Sequence, residues 1–186
     1  MGKLLLITGD LATGKSTFAG LLSRRHDISV FYKDRFKETL GETIGFSNRE
    51  ENLKLSMASA ALMRMIFEEF CKLNKNLILE SNFRQAELEA LHKMAGEHGY
   101  DVLTVVLRAD LELLHSRFLY RLHHENRHPV HASGGFEEFD NFSAYVLGQR
   151  YLTIPGEVVA VCADDFSYQT DATLLARLDG FLTDLV

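Results

Sequence analysis

The sequence predicts an α/β protein in which a five-stranded parallel β-sheet lies between two layers of helices. Three observations support this fold class. Five short apolar segments recur along the chain, each is nearly continuous rather than alternating, and patterns of helical spacing separate them. Continuous apolar segments are typical of strands that are covered on both faces, as in a parallel sheet. The repeated strand–helix order then implies right-handed crossovers and a three-layer sandwich.

The five apolar segments give the predicted strands. They are "KLLLIT" (3–8), "ISVFY" (28–32), "NLILE" (76–80), "DVLTVVL" (101–107) and "EVVAVC" (157–162). Because helical patterns lie between them, each strand is expected to enter the sheet parallel to its neighbours.

Helical patterns fill the intervals. The predicted helices span 15–25, 35–40, 48–73, 84–98, 110–125, 136–148 and 171–185. The longest of them places apolar side chains at helical spacing, on what we predict to be its core face. These side chains are Leu53, Met57, Ala60, Met63, Phe67 and Phe70. The alternative is that the methionines line an adaptable substrate pocket.

Composition limits the classes of function. A length of 186 residues fits one domain, 1–186, with ample core. The formal net charge of −6 argues against a broad basic surface for nucleic acid. No apolar segment approaches about 18 residues and "MGKLLLITGD" lacks signal-peptide features, so we expect no membrane span. A cytoplasmic protein is expected, with Cys71 and Cys162 as buried free thiols.

One polar segment late in the chain, "HENRHPVHASGG" (124–135), lacks strand and helix patterns. Segments of this kind are typical of mobile lids, and we place a lid at approximately 120–135. Its histidines do not predict a metal site, because structural zinc sites combine Cys and His at tight spacings and no Cys lies nearby.

The segment "GDLATGKST" (9–17) carries the most specific motif in the chain. It follows the first predicted strand, opens the first predicted helix and satisfies G-x-x-x-x-G-K-[ST] with Gly9, Gly14, Lys15 and Ser16. The glycines let backbone N–H groups surround a phosphate, and the helix amino terminus adds a positive dipole. We expect Lys15 to reach the β- and γ-phosphates of a nucleoside triphosphate and Ser16 to bind Mg²⁺.

The nucleotide-binding residues predicted from this motif are Gly9, Asp10, Leu11, Ala12, Thr13, Gly14, Lys15, Ser16 and Thr17. The segment "NKNL" (74–77) lacks the acid of the guanine-reading Asn-Lys-x-Asp motif, which argues against a GTPase. ATP is the expected nucleotide, and the preference between ATP and GTP stays open beyond the absence of this motif.

Charged residues also follow the second and third predicted strands. In an open α/β sheet, ligands gather at the carboxyl ends of the strands. Lys33, Asp34 and Arg35 follow the second strand, and Glu80 ends the third. Glu80 is placed to orient Mg²⁺-bound water, or else it is a paired structural acid. Asp34 taken alone also fits a helix N-cap.

The combination of these motifs resembles the P-loop small-molecule kinases of the adenylate kinase-like group (AAA domain-like small kinases). The pattern is closest to the branch of zeta toxins, chloramphenicol phosphotransferase and the kinase domain of polynucleotide kinase. The resemblance implies a P-loop NTPase fold with strand order 2-3-1-4-5, a small helical lid, and helices near 35–73 on the side of the acceptor, the compound that receives the phosphoryl group.

The resemblance also implies roles for individual residues. Asp34 stands where family members that phosphorylate hydroxyls carry the catalytic base, and "ESNFR" (80–84) aligns Arg84 with the arginine that grips the acceptor. Arg117 and Arg121 match two lid arginines four residues apart, and Arg127 resembles a further one. Arg121 and Arg127 would stabilise the transferring phosphoryl group, and Arg117 would flank the adenine. For each of these arginines, an ordinary solvated charge remains the alternative.

Departures from the family pattern narrow the expectation. The loop lacks the Pro-Gly pair common in adenylate kinases, and "ESNFR" lacks the Gly and Pro of their third-strand motif. A dedicated nucleoside monophosphate kinase is therefore disfavoured. The predicted lid has no cysteine, so the zinc-bearing lid of some relatives is not expected.

Two functions are carried forward. The first is an Mg²⁺-dependent kinase that transfers the γ-phosphoryl group of ATP to a hydroxyl of a small-molecule or nucleotide-like acceptor. The second is an ATP-binding or ATP-hydrolysing regulatory module without such an acceptor. A protein partner, as in a toxin–antitoxin pair, stays open, and so do oligomeric state and the identity of the acceptor.

Overall fold

The computed structural model describes residues 1–131 and 135–183. Within them the sheet has five parallel strands in the order β2-β3-β1-β4-β5. The strands are β1 (Lys3–Gly9), β2 (Ser29–Tyr32), β3 (Leu77–Glu80), β4 (Asp101–Arg108) and β5 (Glu157–Cys162). The predicted fold class and strand order are confirmed.

Seven α-helices lie in the described part of the chain. They are α1 (Lys15–His26), α2 (Lys33–Ile44), α3 (Arg49–Leu73), α4 (Gln85–His98), α5 (Leu111–His124), α6 (Phe139–Arg150) and α7 (Ala172–Leu182). Short 3₁₀ turns follow α5 at Pro129–His131 and β5 at Ser167–Gln169. The last helix was predicted to reach residue 185, and residues 184–185 lie outside the described range.

The start of α2 differs from the prediction. This helix begins directly at the end of β2, with Tyr32 as its N-cap and no side chain capping it. Asp34 is therefore the second residue of α2, and the N-cap alternative for its carboxylate is wrong. An acid in the first turn still interacts favourably with the helix dipole.

Both faces of the sheet are covered, as the continuous apolar strands predicted. Leu5 and Ile7 of β1 pack in a cluster with residues of α1, α5, α6 and α7. Leu4 and Leu6 point to the opposite face and pack against residues of α3 and α4. All four leucine and isoleucine side chains are fully buried, and each contributes about 1.5–3 kcal/mol of hydrophobic stabilisation.

The buried face of α3 was predicted only in part. Met63 and Phe67 are buried as expected, but Leu53 and Met57 are 43% and 59% exposed. The amino-terminal half of the helix buries Asn52 and Ser59 instead. Asn52 Nδ2 donates to the Val130 carbonyl at 3.0 Å, and Ser59 Oγ donates to a carbonyl of the preceding turn. Polar residues that form such hydrogen bonds can be buried, and an apolar pattern does not reveal them.

The two cysteines are free thiols, as predicted, but only Cys71 is buried. Burial raises the pKa of the Cys71 thiol to about 11. Cys162 is exposed because it ends β5, an edge strand whose alternate side chains face outward. Among the described residues, no helix combines the length and apolar character needed to cross a membrane.

Candidate active site

The loop between β1 and α1 adopts a conformation that requires glycine at two positions. Gly9 has φ 127° and Gly14 has φ 83°. A Cβ atom at Gly9 would lie 2.0 Å from the Leu107 carbonyl oxygen of β4, and one at Gly14 would lie 2.8 Å from the Tyr168 hydroxyl. The motif glycines are therefore fixed by backbone conformation and by close neighbours, as a phosphate-binding loop requires.

Distant residues hold this loop from behind. The Tyr168 hydroxyl donates to the Thr13 carbonyl at 2.8 Å, and the Thr13 hydroxyl donates to the Asp10 carbonyl at 2.9 Å. The Asp10 carboxylate, only 2% exposed, pairs with the Arg150 guanidinium at 2.6 Å. Since its carboxylate is buried in this ion pair, Asp10 can contact a nucleotide only through its backbone.

Lys15, Ser16 and Glu80 meet where α1 begins beside the end of β3. Ser16 Oγ donates to Glu80 Oε2 at 3.0 Å, and the Lys15 ammonium donates to the Asp10 carbonyl. Burial lowers the pKa of Lys15, although the carboxylates of Glu80, Asp34 and Asp10 oppose this effect. Burial raises the pKa of Glu80, which the Lys15 charge and the Ser16 hydrogen bond oppose. The hydroxyl and the carboxylate offer the hard oxygen ligands that suit Mg²⁺.

A cleft of about 1000 Å³ opens in front of this loop. Its lining includes residues 11–17, Glu80, Asp34, and the three predicted arginines of the α5–lid region. The Asp34 carboxylate has no hydrogen bond or ion pair with any residue that the structure describes. Its charge nevertheless acts on both Lys15 and Glu80. The structure thus brings a free carboxylate to the same cleft as the phosphate-binding loop.

The three arginines are held in different ways. Arg117 donates to the carbonyls of Ala163 and Asp164 at 2.7 and 2.6 Å, and its guanidinium carbon lies 4.5 Å from the Phe166 ring centroid. This guanidinium and ring form a flat wall beside the loop. Sequence reasoning did not single out Phe166 and Tyr168, although both lie in a segment that follows β5 at the carboxyl edge of the sheet.

Arg121 and Arg127 also line the cleft. Arg121 pairs with Glu125, one helical turn later, at 3.0 Å. Arg127 lies over the Phe118 ring, 5.6 Å from its centroid. Burial and the nearby Arg121 charge both lower the pKa of Arg127. Two guanidinium groups in one cleft favour the binding of a polyanion.

Arg84 and Lys33 do not line the cleft. Arg84 is exposed at the start of α4, where its backbone N–H donates to the Glu87 carboxylate. Lys33 is buried and pairs with the same carboxylate at 2.9 Å. The role of Arg84 in acceptor binding stays a prediction, and the lining of the cleft gives it no support.

The described part of the predicted lid packs against α2 and α3. Val130 is 1% exposed and packs against Gly41 of α2, where an added Cβ would lie 2.6 Å from Val130 Cγ1. Lys37 and Asn52 both donate to the Val130 carbonyl at 3.0 Å. Residues 132–134 of the lid lie outside the described residues. The mobility predicted for this segment stays a prediction.

A glycine loop between a strand and a helix, a buried lysine, and a hydroxyl beside a carboxylate together define a P-loop nucleotide-binding protein. A profile of the AAA domain family matches residues 5–141, and the chain belongs to that family. A search among curated proteins gives no match.

Solved structures share the fold over almost the whole chain. A protein of Chloroflexus aurantiacus with a provisional kinase assignment is 23% identical, with a TM-score of 0.80 and coverage of 98% of this chain and 99% of that one. A gluconokinase from Sinorhizobium meliloti is 14% identical, with a TM-score of 0.61 and coverage of 95% and 93%. A shikimate kinase from Bacteroides thetaiotaomicron is 17% identical, with a TM-score of 0.58 and coverage of 97% and 98%.

Proposed function

We propose that this protein is an ATP-dependent kinase that transfers the γ-phosphoryl group to a hydroxyl of a small molecule. One observation carries the proposal: the Asp34 carboxylate, without a hydrogen bond or ion pair among the described residues, lines the same cleft as Lys15, Ser16, Arg121 and Arg127. The similar solved structures include a gluconokinase and a shikimate kinase, which agrees with this proposal.

The phosphate-binding end would hold ATP. The loop 9–17 would surround the β- and γ-phosphates with its N–H groups, Lys15 would turn from the Asp10 carbonyl to the phosphates, and Arg117 with Phe166 would flank the adenine. Ser16 would bind Mg²⁺ and Glu80 would hold a water of its shell. When bound, Mg²⁺ neutralises charge on the β- and γ-phosphates.

Transfer would occur in front of Asp34. The acceptor hydroxyl donates its proton to the Asp34 carboxylate while its oxygen forms a bond to the γ-phosphorus. The bond between that phosphorus and the β–γ bridging oxygen breaks, and ADP leaves. Arg121 and Arg127 stabilise the charge on the transferring group, a contribution that can reach about 10³–10⁵ in rate.

The regulatory alternative has less support. A module that only hydrolyses ATP needs a residue that positions water, commonly a glutamine, and no glutamine is among the described residues that line the cleft. The closer likeness to zeta toxins, chloramphenicol phosphotransferase and polynucleotide kinase stays a prediction, as does any protein partner.

The test is Asp34→Asn, assayed for ADP release and phosphorylated product in the presence of ATP, Mg²⁺ and a panel of hydroxyl compounds. We expect transfer to fall by about 100-fold or more, since a general base contributes about 10²–10⁴, while ATP affinity stays within about threefold. Glu42→Gln, on the same helix but outside the cleft lining, is the control. Wild-type transfer by Asp34→Asn would refute the role of Asp34 as base.

A further inference from the structure

The acceptor end of the cleft is acidic. We define this end by the lining residues that α2, its flanking strand ends and the 3₁₀ turn contribute: Tyr32, Asp34, Arg35, Glu38, Asn82 and His131. Asp34 and Glu38 lie one helical turn apart on α2 and therefore share a face. Glu38 is held by His131 Nε2 at 2.7 Å. Two carboxylates thus face the space in which the acceptor would bind.

The cations of this region are directed elsewhere. The Arg35 guanidinium carbon stacks 4.4 Å from the centroid of the Tyr32 ring. Lys37 Nζ donates to the Val130 carbonyl at 3.0 Å. Neither Lys37 nor Arg84 lines the cleft. The other Lys and Arg side chains of the lining are Lys15, Arg117, Arg121 and Arg127. The Lys15 charge acts on Asp34, and the Arg127 charge acts on both Asp34 and Glu38. In the proposed reaction, however, these four side chains serve the adenine and the phosphates of ATP.

With ATP bound, a carboxylate or phosphate on the acceptor would therefore meet Asp34 and Glu38 with Arg35 as the remaining Lys or Arg side chain of the lining. Like charges brought together disfavour binding. Carboxylates accept hydrogen bonds from O–H and N–H donors. We infer that the acceptor is a small polyhydroxy compound without an anionic group, which presents one hydroxyl to Asp34 and a second donor group, hydroxyl or ammonium, to Glu38. This inference rests on the proposed kinase function and narrows its substrate class.

The inference is tested with acceptors that share a carbon skeleton and differ in charge. The wild-type protein is assayed with ATP and Mg²⁺ on glucose, sorbitol, glucosamine, gluconate, glucuronate and glucose 6-phosphate, and on uridine paired with its monophosphate. ADP release and the mass of the product are measured. We expect an uncharged or ammonium-bearing compound to be phosphorylated with at least about tenfold higher kcat/KM than its anionic counterpart.

Each result of this panel decides the question. A preference for gluconate, glucuronate or a phosphorylated compound overturns the acceptor class and leaves the kinase function standing. A panel without any phosphorylated product overturns both the acceptor class and the kinase function.

Variants of Glu38 then locate the contact. With the best acceptor of the panel, Glu38→Ala is expected to raise the acceptor KM by about tenfold while the KM for ATP stays unchanged, because Glu38 is not among the carboxylates that act on Lys15 of the phosphate-binding loop. Glu38→Gln keeps an accepting oxygen, so it restores the KM for a hydroxyl donor but not for an ammonium donor. Glu42→Gln, one turn further along α2 and outside the lining, is the matched control. Equal changes in both KM values, or no change with Glu38→Ala, contradict the assignment.

Discussion

The two ends of the cleft are built by different means. At the phosphate-binding end, backbone conformation and buried contacts fix the position of each group, as at Gly9, Gly14 and Lys15. At the acceptor end, Asp34 and Arg35 are exposed side chains in the first turn of α2, and the 3₁₀ turn Pro129–His131 packs beside this helix. The position of groups at the phosphate-binding end is therefore set by the fold. At the acceptor end, a few substitutions of exposed side chains would change which ligand binds.

The largest effect of a single substitution is expected at Gly9 of the phosphate-binding loop. Gly9→Ala would place a Cβ 2.0 Å from the Leu107 carbonyl oxygen in a left-handed conformation, and we expect the free energy of unfolding to fall by at least about 3 kcal/mol. Chemical denaturation measures this change. Gly148→Ala is the control, since it lies within α6 with no atom within 4 Å of the added Cβ and should stabilise by about 0.5–1 kcal/mol. Equal effects of the two variants would show that Gly9 is not constrained.

Arg150 tests whether its ion pair with the buried Asp10 carboxylate stabilises the phosphate-binding loop. Arg150→Met leaves the buried Asp10 carboxylate without its cation, and we expect a loss of about 2 kcal/mol in stability. The exposed pair of Arg25 and Asp179, whose guanidinium nitrogen and carboxylate oxygen are 2.6 Å apart, gives the control, because loss of a solvent-exposed ion pair in Arg25→Met should change stability much less. Thermal and chemical unfolding are compared for both variants. A loss at Arg150 no greater than that at Arg25 contradicts the importance of the buried pair.

Glu80 gives a prediction for pH. Because burial raises the pKa of Glu80 above 4.5, the carboxyl takes up protons while an ordinary glutamate is still ionised. Mg²⁺ affinity, read from Mg²⁺-dependent stabilisation by ATP, should fall about tenfold per pH unit below that raised pKa. Glu80→Gln should remove both the Mg²⁺ effect and its pH dependence.

The pH dependence of folding stability without Mg²⁺ has the opposite sign to that of Mg²⁺ affinity. Without Mg²⁺, the folded protein binds the proton of Glu80 more tightly than the unfolded chain does. The contribution of Glu80 to stability is therefore largest when the carboxyl is protonated, and it declines as pH rises from 4.5 through the raised pKa. A contribution that increases over this range would contradict the assigned direction.

Gly41 tests whether docking of the 3₁₀ turn shapes the acceptor end. Gly41→Ala adds a Cβ 2.6 Å from Val130 Cγ1, while a helix interior gains about 0.5–1 kcal/mol from the same change. We expect little net change in stability, because the two effects oppose each other, but an acceptor KM several-fold higher as the 3₁₀ turn is displaced. The KM for ATP should not change. A variant with wild-type acceptor KM would show that docking of this turn does not shape the acceptor end.

Sequence patterns predicted what is local. The five strands were placed within two residues at each boundary, and the loop motif named the residues whose conformation the structure shows to be constrained. Local capping preferences suggested the wrong role for Asp34, because α2 begins without an intervening loop after β2. Long-range contacts left no local signal: Asp10 with Arg150 and Thr13 with Tyr168 are 140 and 155 positions apart. The buried face of α3 was misplaced since Asn52 and Ser59 satisfy their polar groups with partners that spacing cannot show.

The ion pair between Asp10 and Arg150 has a consequence for synthesis of the chain. Asp10 leaves the ribosome early, but the guanidinium that neutralises it follows 140 positions later, beyond the family match that ends at residue 141. Until Arg150 emerges, folding of the first strand and loop would bury a carboxylate without its counter-charge, which is costly. The nucleotide site should therefore be completed late in translation, and nascent chains shorter than 150 residues should bind ATP weakly even when the entire loop motif is exposed to solvent.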